Sequence, residues 1–83
     1  MSINISELDN FITHNLEKLK IQARVDGITQ GFGLKEIRDV EDMGKKIAQQ
    51  PNLTWTDRRS ISDKVQSFIF SVDNLYTSSN ISH

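Results

Sequence analysis

The chain of 83 residues contains no cysteine, one proline and four glycines. Without thiols there is neither a disulfide framework nor a thiolate metal site. A domain this short must then be held by apolar packing, its own or shared with a partner chain. No apolar run approaches the roughly 18 residues that a bilayer-spanning helix requires. The opening "MSINISELDN" has neither the basic nor the apolar segment of a secretory signal. Charge of one sign is also lacking: Lys and Arg total 10 against 11 Asp and Glu, for a net charge of −1. Proteins that coat nucleic acid usually carry a strong positive excess, so that class loses support. These absences lead us to expect one cytoplasmic domain over residues 1–76, with no membrane association.

What remains is a balance of 36% hydrophobic and 25% charged residues, which suits an ordinary folded domain rather than a disordered one. Its apolar residues recur with helical period. Ile5, Leu8, Ile12, Leu16, Leu19 and Ala23 follow steps of three and four and build one face. Asn4 with Glu7 has the spacing of a capping box ahead of that face, although Ser6 with Asp9 is a rival start. Residues 19–26 also alternate apolar and polar ahead of an Asp-Gly, the signature of a strand and hairpin. Leu, Lys, Gln, Ala and Arg favour helix there, and a lone hairpin is only marginally stable.

A second stripe comprises Leu34, Ile37, Val40, Met43 and Ile47, with Glu41–Lys45 and Asp42–Lys46 spaced for i,i+4 pairing. Pro51 restricts Gln50 and stops this helix. Gly44 inside it weakens helix propensity and either admits a close neighbour or is a tolerated defect. A third stripe follows the cap pair Thr54 and Asp57 and comprises Ile61, Val65, Phe68, Val72 and Leu75, widened by Ile69 and Tyr76. The expected fold is all-α, a small three-helix bundle with helices over about residues 5–25, 34–49 and 55–76. A disordered tail over 77–83 would follow.

Chemistry-bearing patterns are sparse. Residues 26–33, "DGITQGFG", hold Gly27, Gly31 and Gly33. A phosphate cradle would need Gly-Lys-Ser/Thr or a third glycine where Glu36 stands. The glycines are expected instead to reverse the chain, with Gly27 as the left-handed cap of the first helix. His14 lies about 200° round the first helix from Ile12 and faces solvent. Glu17 shares its face, but no further ligand completes a metal site, so no metal or cofactor is inferred. Glu36, Asp39, Glu41 and Asp42 are interleaved with basic residues and suit a solvated face rather than a catalytic pair. Neither an enzyme nor a small-molecule substrate is indicated.

Two readings of "WTDRR" compete. Ile47-Ala48 followed by Leu53-Thr54 has the outline of a helix-turn-helix, with Arg58, Arg59 and Lys64 early in its second helix. Arg58, however, stands where that motif packs an apolar residue, and Asp57 and Asp63 weaken attraction to phosphate. The leading expectation is a protein-interaction module: a regulator, inhibitor or adaptor, with a homodimer as one form. Trp and Arg dominate binding hot spots, and Phe70 stands about 200° from Phe68, so one bundle cannot bury both. Ile21 and Val25 likewise lie off the main stripe of the first helix. The expected partner surface comprises Trp55, Arg58, Arg59 and Phe70, joined by Ile28 and Phe32 from the glycine-rich connection. DNA binding through residues 55–76 is the alternative.

Overall fold

Asn4 starts the first helix by accepting the amide of Glu7 on its side-chain oxygen at 3.0 Å, in a computed structural model that describes residues 4–81, with side chains from 4 to 77. Helix α1 spans Ile5–Val25. It therefore runs through the segment where a hairpin competed. Alternation would place Leu19, Ile21, Ala23 and Val25 on one face; instead Leu19 is fully buried while Ile21 and Val25 are exposed. Asp26 closes the helix through its amide to the Gln22 carbonyl, and Gly27 follows at φ +78°, the left-handed step that ends many helices.

Helix α2 (Leu34–Ala48) begins at Gly33, also left-handed at φ +80°. A second demand falls on Gly33. A Cβ there would lie 2.8 Å from Val72 and 3.7 Å from Leu19, so only glycine lets the connection enter between the other two helices. Gly44 is explained in the same way, because a Cβ would stand 3.0 Å from Val65 and 3.5 Å from Ile61. The weak helix former permits close approach of the next helix. The helix stops one residue earlier than expected, with Gln49 as its C-cap ahead of Pro51.

Helix α3 (Trp55–Ile81) opens on a reciprocal capping box. The Asp57 amide donates to the Thr54 hydroxyl at 3.0 Å, and the Thr54 amide donates to the Asp57 carboxylate at 3.2 Å. Its backbone stays helical past Tyr76 to Ile81. Residues 77–81 contain neither Gly nor Pro, propagation adds one hydrogen bond per residue fixed, and Thr77 donates back to the Asp73 carbonyl. Residues 82 and 83 of the expected tail lie outside the described residues.

All three helices pack on one another, and the expected bundle forms. Leu8 and Leu19 of α1, Val40 and Ile47 of α2, and Ile61, Phe68 and Val72 of α3 are buried at its centre with Phe32. Asp9 pairs with Lys64 at 2.8 Å, while Gly33 lies between Leu19 and Val72 further along, so α1 and α3 run in the same direction. Among the described residues, two polar ones lie inside. Asn15 is 4% exposed and donates to the Phe11 carbonyl at 2.8 Å. Glu36, expected on a solvated face, is 8% exposed and meets Lys18 of α1 at 3.0 Å, so it is an inter-helix tie. The expected pairs Glu41–Lys45 and Asp42–Lys46 do not close among the described residues; Lys35–Asp39 does, at 3.0 Å. All four of those side chains are exposed, where water competes well with an ion pair.

Candidate functional site

The capping box fixes where α3 begins and therefore where Trp55 points. As the first helical residue it is 84% exposed. Phe70 is 68% exposed on the same helix. Fifteen residues apart, the two lie about 22 Å apart along the axis and about 60° apart around it. They share the face opposite Ile61, Phe68 and Val72, which are buried. Arg59, Ser62 and Gln66 are exposed between them.

Arg58, exposed at the start of α3, is also tied into the fold. Its guanidinium donates to the Ala48 carbonyl at 2.7 Å and reaches the Gln50 carbonyl at 3.5 Å. Those carbonyls lie at and just past the C-terminus of α2, where a cation is favoured by the helix dipole. A positive charge at the start of α3 opposes that helix's own dipole, and the end of α2 relieves the conflict. Arg59 has no such tie: no ion pair among the described residues includes it. With Trp55, Thr56, Arg58, Ser62 and Asp63 it lines a shallow depression at the start of α3.

The two connection residues part company with this surface. Phe32 is 4% exposed and belongs to the core, which overturns its assignment as a surface anchor. Its ring meets Tyr76 edge to face at 5.6 Å, and the Tyr76 hydroxyl donates to its carbonyl. A bulky apolar residue on a glycine-rich turn is thus covered from within, by a tyrosine of α3. Ile28 is half-buried and packs against the same core. Trp55, Arg58, Arg59 and Phe70 are therefore carried by one helix, while Ile28 and Phe32 fasten the connection.

Sequence reasoning missed a groove of about 530 Å³ between α1 and α3. Its floor includes Ile12, Leu16 and Phe68, its rim Ser60, Ser67 and Ser71, and the Asp9–Lys64 pair sits in its lining. The serines at steps of seven and four were the available signal. Lys64, one of the basic residues considered for phosphate contact, is thereby engaged within the fold. His14 is exposed on α1, and no group of three or more His, Cys, Asp or Glu among the described residues is placed to hold a metal ion. Lys35 is raised above the usual lysine pKa, first by its hydrogen bond to Asp39 and then by that residue's charge. No helix of the described residues is long and apolar enough to cross a membrane. Compared with known proteins, the chain matches no family model, no curated protein and no solved structure.

Proposed function

We propose that the protein is a non-enzymatic interaction module of the cytoplasm, a regulator, inhibitor or adaptor that binds a protein partner through the outer face of α3. One observation carries this reading: the only tryptophan and a phenylalanine are held 84% and 68% exposed on one side of one helix. Single exposed apolar residues are ordinary. Two large aromatics on a shared face, with an arginine between them that has no ion-pair partner among the described residues, have the composition of a binding hot spot. Burying each ring would supply most of the affinity, and Arg59 would add a charge-assisted contact to an acidic group.

DNA binding through α3 draws less support from the geometry. Of the three basic residues available to it, Arg58 donates to the end of α2 and Lys64 pairs with Asp9. Arg59 alone is left, and a groove-reading helix needs several phosphate contacts for useful affinity. The deciding experiment compares wild type with Phe70→Ser as bait in nuclease-treated host lysate, alongside titration with duplex DNA. Partner capture lost in Phe70→Ser, with the helical circular dichroism unchanged, is expected. Salt-sensitive DNA binding abolished by Arg59→Ala, with no protein captured, would overturn the proposal.

A further inference from the structure

Resting on the reading of the outer α3 face as an interaction surface, we infer that its partner is a second copy of the chain, docked α3 to α3 antiparallel about a two-fold axis at Gln66. The spacing of the exposed side chains carries this. From Gln66 towards the N-terminus, the face steps four to Ser62, three to Arg59 and four to Trp55. Towards the C-terminus it steps four to Phe70, three to Asp73 and four to Thr77. The ladder therefore reads the same in both directions, and a copy turned end for end presents matching rungs at every step. Steps of three and four are those of a knobs-into-holes seam.

The chemistry of the rungs is complementary in that register and in no parallel one. Arg59 falls opposite Asp73 of the second copy, and by symmetry this happens twice. Neither residue has an ion-pair partner within its own chain among the described residues. Phe70 falls opposite Ser62, where a small side chain leaves room for the ring. Gln66 meets its own copy on the axis, and a carboxamide both donates and accepts, so two can pair. A parallel arrangement would set Arg59 on Arg59 and Asp73 on Asp73, and like charges across an interface are strongly unfavourable. Opposed helix dipoles also favour the antiparallel form. Four aromatic side chains, at about 200 Å² each, would cover on the order of half of the roughly 1,600 Å² buried in a standard interface. The face is free for this, because α1 and α2 pack on the side of α3 that carries Ile61, Phe68 and Val72.

The absence of cysteine makes the register directly testable. Gln66→Cys in the full chain should form a disulfide-linked dimer under mild oxidation. Thr77→Cys should not, since its copy lies about 33 Å away along the seam. Sedimentation equilibrium of the wild type should show a reversible dimer. Arg59→Asp and Asp73→Arg should each weaken self-association about ten-fold or more, and mixing the two variants should restore it as a heterodimer. Circular dichroism confirms that each variant folds, and the mixing experiment reads the register through partner choice alone. A wild type that stays monomeric up to about 1 mM, the concentration of a very weak contact, would sink the inference. So would equal cross-linking of the two cysteine variants. A monomer that still captures a different protein in a Phe70-dependent way removes the second copy and leaves the proposed function standing. A monomer whose capture ignores Phe70 removes both.

Discussion

The Tyr76 hydroxyl donates to the backbone carbonyl of Phe32, and the two rings meet edge to face at 5.6 Å. One residue of α3 thus holds the connection between α1 and α2 by a polar and an apolar contact together. Tyr76→Phe keeps the ring and removes the donor, leaving a carbonyl in a part-buried site. We expect a loss of about 1 kcal/mol, seen as a lower urea midpoint with unchanged slope. Tyr76→Ala also uncovers Phe32 and should cost about 3 kcal/mol. If the two variants prove equally stable, the ring contact contributes nothing.

Gly27 and Gly33 share a left-handed backbone and differ in surroundings, so they separate two causes of glycine preference. A Cβ on Gly27 meets nothing within 4 Å, whereas one on Gly33 lies 2.8 Å from Val72. Gly27→Ala should cost about 1 kcal/mol, the conformational term alone. Gly33→Ala adds a clash with a fully packed valine and should cost about 2–3 kcal/mol. Pairing Gly33→Ala with Val72→Ala should recover part of the steric term, because the two sites are in contact.

Arg58 and Arg59 are adjacent in sequence and are expected to respond oppositely to truncation. Arg58→Ala leaves the Ala48 and Gln50 carbonyls without their guanidinium donor and should lower stability by about 1 kcal/mol. Arg59→Ala breaks no ion pair among the described residues and should stay within about 0.5 kcal/mol of wild type. Its effect belongs to binding. Thermal melts on the free protein, followed by association measurements, sort the pair; a larger stability loss for Arg59 would contradict these roles.

The helices were legible because their signals are local. The cap pairs at Asn4 and Thr54 and the steps of three and four place α1 and α3 within a residue at their starts. What escaped depended on contacts between helices. Asn15 sits in the buried line between Leu8 and Leu19, yet a polar letter in an apolar stripe reads as its edge. Glu36 looked solvated because its partner Lys18 lies on another helix, 18 residues away in sequence. Phe32 looked exposed because glycine-rich turns usually lie on the surface, and Tyr76 covers it from 44 residues away. Phe70 and Trp55 were the opposite case. The mismatch of Phe70 with the α3 stripe was visible in the sequence, and the direction of the capped helix was needed to set Trp55 on the same face.

Asn15 provides the last test. Its side-chain amide donates within its own helix, to the Phe11 carbonyl at 2.8 Å, and it is 4% exposed. That carbonyl keeps its ordinary helical bond from the Asn15 backbone amide when the side chain is removed. Substituting Asn15→Leu therefore strands no buried acceptor, while it adds apolar burial and a better helix former. The two side chains have the same branching and number of heavy atoms, but the leucine methyl groups are bulkier, so overpacking subtracts part of these gains. We expect Asn15→Leu to be more stable than wild type by about 1 kcal/mol, which for a domain of this size raises Tm by about 4–8 °C. Asn15→Ala, which leaves a cavity in place of the amide, should fall below wild type. If Asn15→Leu instead lowers Tm or broadens the melt, the asparagine selects the packing of α1 against its neighbours, as a buried polar residue selects register in a coiled coil.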